Sequence, residues 1–283
     1  MFFADDGYFE SPGWYIAGSN ASQNTAQTGL TPAENRFLLL TPVSILASNL
    51  FRASWGRKRN DNQQFALNIP STSRRFIFTG QAFDQFDLDV LLNAIDHGHR
   101  QGNAEKAVAR LDLKEMQYEL GLRPGLKSRE RITQSLQRLE SSRILIENAR
   151  YCMWMQCISS LLFDTHSKSC FLEIHPAVDA AFRDRLALRM FLRERDEIGA
   201  RGMCKWLHGL AFASGNPCSI SLDRIRRLAN LSYPEKKFSE RLEKALVFLW
   251  ENSLLQKMEI RDNSLLLQSN RSLPNERQSF IFF

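Results

Sequence analysis

Two runs of basic and hydrogen-bonding side chains carry the most legible chemistry in this chain of 283 residues. The first is Lys127, Ser128, Arg129 and Arg131, with Gln134, Ser135 and Arg138 further along; the second is Tyr233, Lys236, Lys237, Ser239, Arg241 and Lys244. The groups suit reversible recognition of a polyanion. A guanidinium can present paired donors to a guanine edge, while ammonium, hydroxyl and phenol groups bond phosphate oxygens. Each run falls at the front of a predicted helix, whose free N–H groups also favour phosphate. The helix before it adds Lys114 and Gln117 in the first case, and Arg224, Arg226 and Arg227 in the second. A solvated face, with the cations paired at helical spacing to Glu130, Glu140, Glu235, Glu240 and Glu243, explains either run taken alone.

The two runs are related, and that favours the recognition reading. Set without a gap, Arg129–Leu145 and Ser239–Leu255 bring Glu130-Arg131 onto Glu240-Arg241, Ile132 onto Leu242, Leu136 onto Leu246 and Leu139 onto Leu249. Ile144-Leu145 falls on Leu254-Leu255. Upstream, Leu113, Met116 and Leu122 match Leu222, Ile225 and Leu231 after one residue of slippage. A repeat of such long period means two copies of one structural unit.

Hydrophobic periodicity gives both copies the same layout. In the first, a helix at Phe86–His97 is followed by a strand at Val108–Leu113 and a helix at Lys114–Leu120 closed by Gly121. A turn through Pro124 leads to a long helix at Lys127–Ser142, then strands at Ile144–Asn148, Cys152–Phe163 and Cys170–Ile174. In the second, a helix spans Ala200–Ala213, a strand Ser219–Leu222, a helix Leu222–Ala229, a turn Leu231–Pro234, and a long helix Glu235–Asn252. A hairpin, Leu254–Ile260 and Ser264–Gln268, turns at Asp262-Asn263. Helix, strand, helix, turn, helix, strand, strand is the order of a winged helix. Its long helix enters the major groove of DNA. The expected fold is therefore α+β and mainly helical, with tandem winged-helix domains in a pseudo-twofold arrangement that reads two neighbouring half-sites without a homodimer.

The expected boundaries follow. Residues 1–35, rich in Gly, Ser, Asn, Thr and Gln, form a poorly ordered leader. Residues 36–175 form the first domain; its irregular opening from Leu38 to about Phe83, with the basic stretch Arg52–Arg59, reads as an N-terminal arm or as strands packing on that domain. Residues 176–270 form the second, opening with a charged, semi-rigid helical connector from Pro176 to about Ile198, and 271–283 are a tail.

Composition bounds the rest. The net charge is +6 and the pI about 9.2, which suits an acidic partner. Five cysteines (Cys152, Cys157, Cys170, Cys204 and Cys218) have no framework spacing and read as reduced thiols of a cytoplasmic protein. No apolar run approaches the roughly 20 residues of a membrane span. The acidic start, MFFADDGYFE, is unlike a signal peptide.

Catalytic alternatives lack support. His97-Gly98-His99 invites comparison with metal-dependent nickases, with Tyr151 or Tyr233 as nucleophile. However, the pair sits at a helix end, not on a strand that would aim both rings at one ion. Cys-x-x-Cys and a phosphate loop ending in Gly-Lys-Ser/Thr are both missing from the sequence. No enzyme, metal or cofactor is expected. At the C-terminus, Gln278–Phe283 (QSFIFF) resembles peptides that dock on bacterial sliding clamps, though three Phe folding back as an anchor explain it more simply.

The segment Met203-Cys-Lys-Trp-Leu-His-Gly-Leu-Ala-Phe-Ala-Ser214 resembles the LxxWLHGFYASH stretch of TrfA-like plasmid replication initiators. As in that family, Pro217, a short strand and the helix Leu222-Asp-Arg-Ile-Arg-Arg-Leu228 follow. Leu172–Phe182 is similar to the family's inter-domain segment. The resemblance covers roughly Pro42–Ser269, and this chain departs from it at Leu210 and Gly215, where an aromatic and a His are common. It implies binding to repeated sites (iterons) in double-stranded plasmid origin DNA, local opening of that DNA, and recruitment of the host replication initiator and helicase. A monomer or weak homodimer is expected. Trp206, Leu207 and Leu210 read as core, and His208 as a packing residue. The alternative function is a winged-helix transcriptional regulator with no replication role.

Overall fold

Asp84 starts the helix around which the described residues are arranged. Its carboxylate accepts from the backbone N–H of Phe86 and Asp87, at 2.9 and 3.3 Å, while Asp87 Oδ2 accepts from Asp84 N at 2.9 Å. This reciprocal cap fixes the start of α1, Gln85–Arg100. In this computed structural model, the described residues are 45–53, 63–68, 74–102, 108–164, 166–214, 217–229 and 234–270. All of them belong to one compact unit, Leu39–Phe283. The leader, Tyr233 and the segment Gln278–Phe283 lie outside the described residues.

Every residue of α1 from Gln85 to His99 is buried. A helix buried all round is normally apolar. This one carries Asp87, Asp89 and Asp96, and each carboxylate has a cation partner.

The first half continues with β5 (Val108–Asp112), α2 (Leu113–Glu119), α3 (Leu126–Ser141), β8 (Ile158–Asp164) and β9 (Ser169–Ile174). The second half has α6 (Gly202–Ser214), β10 (Cys218–Ser221), α7 (Leu222–Leu228), α8 (Glu235–Glu251), β11 (Leu255–Arg261) and β12 (Ser264–Ser269). Each half makes an antiparallel three-stranded sheet, in the order β5-β9-β8 and β10-β12-β11. In both, the strand that precedes the paired helices joins the last strand of the hairpin. The aligned residues are core in both copies: Ile132, Leu136 and Leu139 on α3, and Leu242, Leu246 and Leu249 on α8. At i, i+4 and i+7 they form one helical stripe. Asp262 and Asn263 take positive φ of 47° and 59°, the two-residue turn that matches strand twist.

Two expectations need correction, and one alternative is decided. The strand expected over Cys152–Phe163 is two strands. β7 (Cys152–Met155) pairs with β6 (Arg143–Glu147), and β8 begins at Ile158 in the other sheet. Gln156 Nε2 bonds Glu140 O at 2.5 Å and Cys157 O accepts from His175 N, so the chain is held as it changes sheets. Of the arm and the strands expected before Phe83, the described residues show strands: β2 (Gln63–Ala66) and β3 (Arg75–Gly80) complete a four-stranded sheet, β2-β3-β6-β7, and β1 (Phe51–Arg52) pairs with β4 (Phe83–Asp84). The charged connector is α4 (Pro176–Ala181) and α5 (Arg185–Ile198). α5 buries Leu188, Phe191, Arg195 and Ile198 and packs on α1 and α6, so it belongs to the core.

Candidate nucleic-acid interface

α2 and α3 are joined by a turn held from within. The Asp112 carboxylate caps α2, accepting from Lys114 N at 2.6 Å and Glu115 N at 3.2 Å. Gly121 ends that helix at φ +63°, a left-handed conformation that glycine adopts at little cost. Buried Gln117 donates to Gly125 O at 2.7 Å and to Ser128 Oγ at 2.5 Å, and Ser128 donates to Arg123 O at 2.7 Å. Gln117 and Ser128 therefore lock the entry to α3 and are not spread toward a ligand.

The rest of the first run divides by face. Lys127 and Gln134 are exposed and Arg129 is half-buried. The Arg131 guanidinium lies 3.8 Å from the centre of the Phe86 ring, a cation–π contact that turns it toward α1. Ser135 is fully buried and donates to Asp87 Oδ1 at 2.6 Å. Arg138 Nη2 donates to the same oxygen at 2.7 Å, with its side chain only 12% exposed. Ser135 and Arg138 are thus internal, contrary to their expected place in a binding face. The signal was available: Ser135 follows Ile132 by three residues and precedes Leu136, so it shares the buried stripe.

In the second run Lys236, Lys237, Arg241 and Lys244 are all exposed on α8. Ser239 is half-buried and its hydroxyl bonds Glu235 O at 3.2 Å. On α7, which Ser221 caps through Arg224 N at 3.3 Å, Arg227 is exposed while Arg224 and Arg226 are half-buried. The outward groups at the front of both long helices are cationic or amide, and can donate to phosphate oxygens and base edges.

Behind these faces lies a buried ionic layer that sequence reasoning missed. Asp89 Oδ1 accepts from Arg195 Nε at 2.7 Å, and Oδ2 from Lys205 Nζ at 2.6 Å. Arg195 also donates to Lys205 O at 3.2 Å and Gln85 Oε1 at 3.0 Å. Burial pulls the Lys205 ammonium below its ordinary pKa, and the Asp89 charge opposes that shift. Nearby, His208 Nε2 lies 2.8 Å from Glu194 Oε2, with the ring stacked on Phe191. Burial lowers the His208 pKa against the pull of Glu194.

The two histidines at the end of α1 part company. His97 Nε2 meets Glu119 Oε2 at 2.5 Å, and His99 Nε2 meets Asp179 Oδ1 at 2.9 Å. Ligand-type atoms of His97, Glu115 and Glu119 come within 4.8 Å of one another, and Arg100 approaches both of these glutamates. Burial works against ionisation of Glu119, but His97 and Arg100 outweigh it and hold its carboxyl below the usual value. The five cysteines are free, and burial pushes the Cys157 and Cys170 thiols up to about 12, far from nucleophilic. No helix among the described residues is long and apolar enough to cross a membrane.

Comparison with solved structures identifies the fold. The chain is similar to domains 2 and 3 of RctB, with a TM-score of 0.59 and 11% identity over 81% of this chain and 98% of that one. A second crystal structure of RctB domains 2–3 gives a TM-score of 0.51 at 12% identity, over 79% and 94% of the two chains. The fold is that of these domains. Pi initiator protein, solved in complex with iteron DNA, is a looser match at a TM-score of 0.41 and 10% identity, over 64% of this chain and 94% of that one. No family model and no curated protein matches the chain.

Proposed function

We propose that this protein is a tandem winged-helix initiator of plasmid replication that binds repeated sites in double-stranded origin DNA. The observation that carries the reading is the duplicated topology. Both halves run helix, strand, helix, helix and hairpin, with the last strand in the middle of the sheet, though in the first half β6 and β7 of the other sheet intervene between the long helix and the hairpin; both long helices have outward-facing cations at the front. The fold shared with RctB domains 2 and 3 and the TrfA-like Met203–Ser214 segment support the same reading.

In this reading α3 presents Lys127, Arg129 and Gln134 to one major groove, and α8 presents Lys236, Lys237, Arg241 and Lys244 to a neighbouring one. Phosphate contacts and counterion release supply much of the affinity, and part of it goes into loosening an adjacent A·T-rich segment. The protein then recruits the host initiator and helicase, acts in the bacterial cytoplasm with its plasmid, and performs no covalent chemistry. A docking role for Gln278–Phe283 on the sliding clamp belongs to the same proposal.

The test is titration of the purified chain onto a fragment of its own replicon bearing short direct repeats, beside shuffled DNA, at two salt concentrations. A ladder of protection at the repeat spacing that survives the higher salt is expected. Equal, salt-sensitive binding to both DNAs would overturn the reading. Specific binding without replication of a plasmid carrying only the origin, with the protein supplied in trans, would instead indicate a transcriptional regulator.

A further inference from the structure

The ionic layer between the two halves has no part in the proposed contacts with DNA, yet it joins the elements that make them. Asp87 and Asp89 are two residues apart on α1. At about 100° per residue their side chains leave the helix on opposite sides. Asp87 faces α3 and takes hydrogen bonds from Ser135 and Arg138. Asp89 faces the second half and takes hydrogen bonds from Arg195 on α5 and Lys205 on α6. α6 packs in turn on α8 and β12. The two long helices are therefore linked through α1 and α6, and the Asp89 cluster is a directional contact where the halves meet, beside Arg189 on Asp96 and the Trp206 indole N–H on Ser48 O.

We infer that Asp89 is a positioning residue whose buried cluster with Arg195 and Lys205 fixes the angle between the two halves, and with it the half-site spacing that the protein selects. The inference rests on the DNA-binding reading above. Asp89, Arg195 and Lys205 are all buried, so none of them is a ligand contact. Desolvation makes such a cluster a poor source of stability compared with apolar side chains of similar volume. What it supplies is direction. Apolar packing such as that of Phe191 beside Arg195 tolerates small rotations with little loss, whereas the short bonds to the two Asp89 oxygens do not. Two rigidly linked modules gain about a hundredfold or more when both sites fit and lose it when the geometry forbids joint engagement.

Asp89→Asn would strand two cations in the interior, so the decisive variant is Asp89→Leu, Arg195→Met, Lys205→Met, which replaces the cluster with apolar volume. Two readouts are needed. One is binding to paired half-sites at the native spacing and with about two base pairs added, roughly a fifth of a helical turn. The other is the distance distribution between spin labels at Glu130→Cys and Glu243→Cys, exposed positions on α3 and α8, in a Cys152→Ser background. The wild type should bind the altered spacing at least about tenfold more weakly, with a narrow label distance. The variant should unfold cooperatively, bind a single half-site as the wild type does, lose most of the spacing preference and show a broad distance. A folded variant with unchanged spacing preference and a narrow distance overturns the inference. So does a variant that does not fold, because the cluster would then be a stability element. If the label distance broadens as expected but the wild type shows no specific DNA binding, the orientation role stands, and the DNA reading and the spacing claim fail together.

Discussion

The residues of the two basic runs are not equivalent, and their surroundings say which will matter for which measurement. Arg241 is exposed near the front of α8, whereas its sequence counterpart Arg131 is folded onto Phe86. Arg241→Ala should weaken binding to the specific site by about 1–3 kcal/mol and relax base preference if the guanidinium reads a base edge. Uniform weakening across sequences would make it a phosphate contact instead. Arg131→Ala should act on stability, costing about 0.5–2 kcal/mol through the lost cation–π contact, as read by urea denaturation. Asp87 is the more consequential neighbour. Asp87→Asn removes the charge that pairs with largely buried Arg138, and should cost about 3–5 kcal/mol, whereas Asp87→Leu combined with Arg138→Leu should recover much of that loss. This division was only partly legible. A helical wheel places Ser135 with Ile132 and Leu136, so its burial could have been read. That Arg138 faces inward depends on a carboxylate 51 residues earlier, which no local pattern reveals.

Elements were legible wherever local periodicity and turn chemistry decide the backbone. α3, α8, their buried stripes and the β11–β12 hairpin lie within a residue or two of their expected spans. The β7–β8 break was not legible, because the pattern over Cys152–Phe163 runs on while the hydrogen-bonding partner changes from β6 to β9. The place of α5 is hidden for a related reason: its charge suggests a semi-rigid connector, yet Arg195 and Glu194 are buried in pairs with Asp89 and His208. The hairpin offers a clean test at this scale. Asn263 holds φ +59°, so Asn263→Gly should leave the melting temperature unchanged or slightly raised. Asn263→Val puts a β-branched residue in the left-handed region and should cost about 1–2 kcal/mol. Equal melting temperatures for the two variants would show that this turn is not held in that conformation in solution.

At the scale of the whole molecule, the buried polar layer predicts how stability responds to acid. His208 Nε2 faces Glu194, while Nδ1 has no hydrogen-bond partner among the described residues. The neutral ring with its proton on Nε2 suits this site. Protonating Nδ1 would bury a second, unsatisfied N–H beside the Phe191 ring. The folded pKa accordingly lies below the ordinary 6.5. Between those two values the unfolded chain binds the proton and the folded one does not, so stability rises with pH across that interval. The His208 contribution is fully present above 6.5 and is lost as pH falls through the folded value, by at most about 1.4 kcal/mol per pH unit for one proton. Glu119 acts in the same sense at lower pH, because its folded pKa lies below 4.5 and its pairing with His97 and Arg100 is lost when it protonates. Burial lowers the His175 pKa as well and adds to this loss, whereas burial raises Asp196 from 3.8 to about 6, so that group stabilises the fold as pH falls through that interval and opposes it. Urea denaturation should therefore show a decline that begins below pH 6.5 and is partly offset by Asp196 below about 6. His208→Gln keeps a donor for Glu194 but cannot titrate, so it should flatten the upper part of that decline and leave the Glu119 part in place. A decline of unchanged slope in His208→Gln would move its origin to other groups and remove His208 from the account of acid sensitivity.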